Sequence, residues 1–388
     1  MIFGGSSSVA VESGLTSDSA GRQGMPIMDV WKSLKVKWLI LFAVLVFVLD
    51  YAQLHMSSEN YGAKYNGFGS MDYVLSGDAP APTQYRLLVP VLYGALDLFY
   101  PRLDGEKAII WLYEPLKMLL MLCAICAFFI FLREFYQENW ALLGTILLCA
   151  CLPLAFRYDY ANQWAELVIF SMAFRAIWRD DQKQATGWTL LGALTRETAF
   201  VLPLLNFLVN RKKSRGWKWG FLAYGLAFVG IRLLLGPRPR FAPILTLNTN
   251  LHRILETTLD PGWLHGTEVF SPYFNPVWLV IPMTGLWIFW SLKRFKEKPA
   301  FFRKAFWLIP LFYVTAFCFA YQDEIRIFTW FYLILIPMTL WCWREDSLEN
   351  SHDLKSDPIF AAQPLFGENP RPVNRQLSAV WDRSQEER

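Results

Sequence analysis

None of the polar stretches of this chain contains a cysteine: all six (Cys123, Cys126, Cys149, Cys151, Cys318 and Cys342) fall inside apolar runs. A disulfide framework in the loops is thereby excluded. Cys123-x-x-Cys126 has redox spacing, but inside an apolar run it reads as two core residues. No phosphate-binding glycine loop, zinc motif or Ser-His-Asp set is present, which removes support for soluble nucleotide chemistry. The net charge of +4 is small and scattered, so nucleic acid is not an expected partner. Met1 to Met28 has no apolar core of the signal-peptide kind and reads as a disordered tail rich in Gly and Ser. No Asn-x-Ser/Thr sequon occurs, which is compatible with a bacterial inner membrane.

What is present is apolar length. Of 388 residues, 54% are hydrophobic and 17% aromatic, and the mean hydropathy is +0.25. Those values lie outside the range of ordinary soluble domains. Apolar runs recur over about 36–54, 108–132, 140–156, 164–178, 187–209, 219–236, 276–291, 304–320 and 328–343. Many approach the 17 to 25 residues that a hydrocarbon core of about 30 Å requires of a helix. The expected fold is therefore an all-α, polytopic transmembrane bundle of about 9–11 segments. It comprises a disordered tail over 1–28, a helical membrane domain over 29–343 and a second disordered tail over 344–388.

Loop charge sets the expected orientation. Lys32, Lys35 and Lys37 precede the first run, and Arg211, Lys212, Lys213, Arg215 and Lys218 form a basic loop. Lys293, Arg294, Lys296 and Lys298 form another, followed by Arg303 and Lys304. These belong inside, which puts both termini in the cytoplasm. Arg86 to Tyr100 is short, carries Asp97 and lacks a basic flank, so it reads as a helix lying on the outer surface. The run 187–209 must then begin and end inside, which its length permits only as two half-helices broken at Thr195-Arg196-Glu197-Thr198. One full crossing here, with another over 86–100, satisfies parity too.

In the first topology the ionisable residues near helix ends gather on the exterior side. They include Asp50, Asp72, Asp78, Arg86, Arg157, Asp159, Arg196, Glu197, Arg232, His252, Asp323, Glu324 and Arg326. An Arg or Asp within a spanning helix costs about 2.5 to 3.5 kcal/mol on insertion scales, so such residues face partners or a wet cavity. Arg196 and Glu197 could equally pair with each other or with neighbouring helices to close the bundle, and Glu114 with Lys117 fits an intrahelical pair. His252 reads as an interfacial histidine on an amphipathic helix. A cavity holding arginines and carboxylates suits a clamp on phosphate beside a base that deprotonates a hydroxyl.

Four segments carry a family resemblance: Val48-Leu49-Asp50-Tyr51 before a large outer loop, Gln84-Tyr85-Arg86-Leu87-Leu88-Val89-Pro90, Leu191-Gly192-Ala193-Leu194-Thr195-Arg196-Glu197-Thr198, and Asp323-Glu324-Ile325-Arg326. Over about residues 36–343 the chain resembles the GT-C superfamily of integral-membrane glycosyltransferases, especially its uncharacterised bacterial members. The resemblance implies a GT-C-like bundle that moves a sugar from a polyprenyl-phosphate donor to a glycan, lipid or protein acceptor. It implies Asp50 or Asp72 as catalytic base and Arg86, Arg196 and Arg326 as phosphate ligands, with Arg157, Asp159, Glu197, His252 and Glu324 completing the substrate site. No cofactor is called for and no ligand spacing demands a metal, although a divalent ion would be compatible with the chemistry. The first outer loop lacks paired acids, and no large soluble outer domain follows. A lipid-linked-substrate transporter or flippase is a rival reading that would need repeat symmetry; a non-catalytic assembly subunit is another.

Overall fold

The structure is a computed structural model that describes residues 35–56, 74–76, 79, 85–99, 109–155, 161–236, 247, 286–319 and 325–356. Every regular element among these is helical. Among the described residues two helices, Trp111–Leu132 and Trp217–Leu235, are long and apolar enough to cross a membrane by length and composition. The chain divides into two compact units, Met1–Thr339 and Leu340–Arg388.

Helix α1 (Val36–Met56) is a run without proline or glycine that buries Phe42, Val46 and Leu49. These recur at the four-and-three spacing of one helix face. That face lies against α3 (Glu114–Leu132), which is entered through a π turn over Ile109–Tyr113. Pairing is antiparallel: the Phe42 and Phe129 rings are 5.4 Å apart, while Asp50, near the other end of α1, meets Lys117 near the start of α3. A tight turn then leads to α4 (Glu138–Ala155), and Glu138 returns to bind Lys35 at 2.9 Å. The bundle thus has a basic end, holding Lys35 and Glu138, and an opposite end, holding Asp50 and Lys117.

Between α1 and α3 lies α2 (Leu88–Asp97), whose ten residues reach only about 15 Å. That is half a hydrocarbon core. Val89 and Tyr93 pack with Leu112, Tyr113, Leu116, Ala161 and Ala165 at the opposite end, while Val91, Leu92, Leu98 and Phe99 remain exposed.

Helix α5 (Ala161–Trp178) runs back to the basic end and stops where Asp180 adopts φ 58°. The Asp181 N–H bonds the Ala176 carbonyl at 2.9 Å, closing a left-handed helix cap. The Asp181 carboxylate then accepts from the Gln184 N–H at 3.0 Å and starts α6 (Gln182–Thr195). One aspartate thereby joins the stop of one helix to the start of the next.

Helix α6 ends at Arg196, whose backbone is extended (φ −165°, ψ 151°). A 3-10 turn over Glu197–Phe200 and α7 (Val201–Asn210) bring the chain back beside α6. Asn206 Nδ2 donates to Gln182 Oε1 at 2.9 Å, and a Cβ placed on Gly192 would stand 2.8 Å from that of Ala199. The run 187–209 is therefore part of a hairpin of two short helices, with its break in the Thr195–Thr198 cluster. Thr195 Oγ1 donates to the Leu191 carbonyl at 2.9 Å, taking up an acceptor where the helix runs out.

Helix α8 (Trp217–Leu235) packs along this hairpin and closes at Gly236, whose φ of 70° favours glycine. After α9 (286–292), Arg294 turns the chain at φ 53° and the Lys298 ammonium donates to the carbonyls of Trp290 and Lys293. Helix α10 (Ala300–Phe306) drives Phe301 and Phe302 among Phe131, Phe135 and Phe174 at the basic end. Helix α11 (Leu308–Phe319) and a 3-10 turn over Ile325–Phe331 lead to α12 (Tyr332–Ser356), where Tyr136 and Ser291 donate to the carbonyls of Pro337 and Leu335. Arg344 to Ser356, read from the sequence as the start of a disordered tail, continues this last helix.

Candidate functional site

The described side chains that the sequence singled out lie at the opposite end, but in two separate groups. In the first, the Lys117 ammonium sits between Asp50 Oδ1 at 2.7 Å and Glu114 Oε2 at 2.6 Å, with the lysine side chain 1% exposed. The Glu114–Lys117 pair expected within one helix is present, and Asp50 joins it from α1. An unpaired charge here would carry a desolvation cost of several kcal/mol. The triad distributes one positive charge between two carboxylates. Asp50 is thus held by a lysine inside a helix interface.

The second group surrounds the hairpin tip. Arg196 Nη1 donates to Glu166 Oε2 at 2.9 Å, and Thr198 Oγ1 donates to Glu166 Oε1 at 2.6 Å. Arg196 and Glu166 are both buried, so each neutralises the other. The extended backbone at Arg196 is what turns its side chain toward α5 while the next residue turns away.

Glu197 takes that other direction. Its carboxylate lies 3.8 Å from Arg86 Nη2 and 3.9 Å from Arg232 Nη2. These separations exceed the 2.7 to 2.9 Å of a tight charge-assisted hydrogen bond. The three side chains are 31%, 17% and 30% exposed, which leaves the group open to solvent on one side. Aromatics hold the arginine in place: the Arg232 guanidinium lies 3.4 Å from the Phe228 ring centre and 4.4 Å from that of Tyr85. Tyr85 Oη donates to the Gly236 carbonyl at 3.2 Å, and Tyr224 Oη donates to the Glu197 carbonyl at 2.9 Å. Two guanidiniums from α8 and the entry to α2 therefore share one carboxylate from the hairpin tip. An arrangement of this kind can receive a phosphate oxygen between the arginines while the carboxylate accepts a proton.

Arg326 falls within the 3-10 turn Ile325–Phe331. Asp72, Arg157, Asp159, His252 and Glu324 lie outside the described residues. No cluster of three or more metal-ligating side chains occurs among those described.

Sequence reasoning passed over Glu166 as a partner, although a lone acid amid the apolar run of α5 is itself a signal. It also left Asp50 and Lys117 in separate accounts. Arg232 was noted near a helix end but not assigned to the site. Comparison adds no assignment: no protein-family model, curated protein or solved structure matches this chain.

Proposed function

We propose that this chain is a multi-pass membrane glycosyltransferase that moves a sugar from a polyprenyl-phosphate donor to an acceptor hydroxyl at the end of the bundle carrying Arg86, Glu197 and Arg232. The membrane reading is supported by large apolar side chains left exposed along α1, α8 and α11, among them Ile40, Phe47, Leu226, Leu233 and Leu311. Exposed apolar surface of this extent in a soluble protein would be an aggregation hazard. With the basic end inside, the positive-inside rule puts both termini in the cytoplasm and the Arg86–Glu197–Arg232 group on the exterior face of a bacterial inner membrane.

The single observation that carries the reading is the sharing of Glu197 by two arginines at 3.8 and 3.9 Å. Arg86 and Arg232 would hold the carrier phosphate and stabilise the charge that grows on it as the sugar departs. Glu197 would take the proton of the attacking hydroxyl. Asp50, which the resemblance names as a base, is here engaged by Lys117, so the base role passes to Glu197. Arg196 and Glu166 act one layer behind, fixing the tip of the hairpin that presents Glu197.

The test is release of carrier phosphate from a radiolabelled polyprenyl-phosphate sugar by protein in lipid nanodiscs, with an acceptor fraction present. Glu197→Gln should still bind the donor but turn it over roughly 10²- to 10⁴-fold more slowly, the usual loss of a general base. Turnover at the wild-type rate in Glu197→Gln would sink the assignment. A second reading, a non-catalytic assembly subunit, is favoured by one observation: Asp50, Glu114 and Lys117, and likewise Arg196 and Glu166, already pair with one another. Under it, neither wild type nor variant would bind or consume any donor.

A further inference from the structure

At the basic end, the turn after α7 and the short helix α10 bring five cations to one seam. They are Arg211, Lys212 and Lys213 on the turn, and Arg303 and Lys304 on the helix. The Lys304 ammonium reaches across and donates to the Val209 carbonyl at 3.2 Å, tying the two elements together. Among the described residues, none of the five is ion-paired to a carboxylate. The buried Arg303 Nε has no hydrogen-bond partner there. Lys304 feels the crowding: burial first, and then the charges of Arg211, Lys213, Lys212 and Arg303, hold its ammonium below the ordinary lysine value. Like charges gathered without an acidic side chain among the described residues repel one another, and an anion seated on the seam would relieve that repulsion.

The surroundings say which kind of anion. Trp307, Leu311 and Val314 follow Lys304 at three-, four- and three-residue steps, which is one helical face, and they are 64%, 54% and 62% exposed. The backbone at Trp307 keeps helical angles, so the face runs on from α10 into α11. A cationic seam thus opens directly onto an exposed apolar stripe. A free anion has no use for the stripe, whereas a lipid would lay an acyl chain along it with its phosphate among the cations.

We propose that the seam between the α7 turn and α10 is a binding site for an anionic phospholipid, with its head-group phosphate held by Arg211, Arg303 and Lys304 and an acyl chain lying on Trp307, Leu311 and Val314. The site is separate from the Arg86–Glu197–Arg232 group and stands at the other end of the bundle. It rests on the membrane reading given above, but on no part of the transferase chemistry.

The experiment is amine acylation of the full chain in nanodiscs, read lysine by lysine by mass spectrometry. One set of discs holds phosphatidylcholine alone, one holds phosphatidylcholine with phosphatidylglycerol, and a third holds phosphatidylcholine with inorganic phosphate at matched ionic strength. Phosphatidylglycerol should slow acylation of Lys304 by about fivefold relative to Lys35, on the scale of one basic residue's attraction to anionic lipid. In Arg211→Gln/Arg303→Gln, which leaves Lys304 as the reporter, the selective slowing should disappear. Equal protection of Lys304 and Lys35, or the same protection from inorganic phosphate, would overturn the site in favour of a diffuse surface or a free-anion pocket. Failure of the chain to enter discs at all would overturn the membrane reading together with this site.

Discussion

Gln182 and Asn206 form a reciprocal amide pair, Asn206 Nδ2 donating to Gln182 Oε1 at 2.9 Å and Gln182 Nε2 donating to Asn206 Oδ1 at 3.4 Å. In a continuous helix these residues, separated by 24 positions, would be about 36 Å apart. Their contact is possible only because Arg196 interrupts the helix and the chain doubles back. Cysteines placed at both positions, in a background with the six native cysteines replaced, should therefore cross-link on mild oxidation. If they remain unlinked while the protein is folded, the hairpin is wrong.

Glycine substitutions separate the hairpin contact from general helix propensity. At Gly192, a Cβ would stand 2.8 Å from the Ala199 Cβ and 3.3 Å from Leu202 Cδ1, so Gly192→Ala should cost about 1 to 3 kcal/mol through overpacking. Gly225, inside α8, has nothing within 4 Å of the same position, and Gly225→Ala should gain roughly 0.5 to 1 kcal/mol. Unfolding of the two variants in the same detergent gives the comparison. A loss at Gly225 equal to that at Gly192 would contradict the packing described.

The Arg196–Glu166 pair should behave as a buried pair does. Glu166→Gln or Arg196→Met alone leaves a buried charge without its partner, at a cost of about 3 to 5 kcal/mol. The double variant Glu166→Gln/Arg196→Met should recover much of that loss. Additive losses in the double variant, measured by thermal unfolding, would show that the two side chains do not interact.

Glu138 offers a pH test away from the apolar segments. A hydrogen bond from Lys35 is the largest influence and lowers its carboxyl from the ordinary value of 4.5; burial opposes this, while the Trp38 hydrogen bond and the charges of Lys35 and Lys37 add to the lowering. The folded pKa is depressed, so this contribution is present above the ordinary value and is lost as pH falls through the folded one. Because the pair is exposed, the effect should be small and sensitive to salt. Unfolding midpoints of wild type and Glu138→Gln should differ at neutral pH and converge on the acid side of 4.5. A gap that widens on acidification would reverse the assigned sign.

How much of this was legible in the sequence differs from residue to residue. The break at Thr195–Thr198 could be read because four polar residues in an apolar run have a local cost wherever they sit. The shortness of Leu88–Asp97 could be read for a similar reason, from its length and from Asp97 at its end. Pairing was not legible. Arg196 and Glu197 are adjacent, yet the extended backbone sends one to Glu166 on α5 and the other toward Arg86 and Arg232. Only the crossing of helices decides that Asp50 reaches Lys117, and spacing along one chain carries no record of it. The stretch from Arg344 to Ser356, expected as the start of a disordered tail for its polarity, is helical, and Glu345, Leu348 and Glu349 within it are all good helix formers.

The proposed function requires that the end of the bundle carrying Arg86 and Arg232 hold a lipid phosphate between the two guanidiniums. Saturable binding of a radiolabelled polyprenyl phosphate to protein in phosphatidylcholine nanodiscs measures it directly, comparing wild type with Arg232→Gln and with Arg215→Gln at the basic end. The account predicts that Arg232→Gln weakens binding by at least about tenfold, the loss of one charge-assisted contact, while Arg215→Gln leaves it unchanged. Equal binding by all three folded proteins, or none by any, would contradict it.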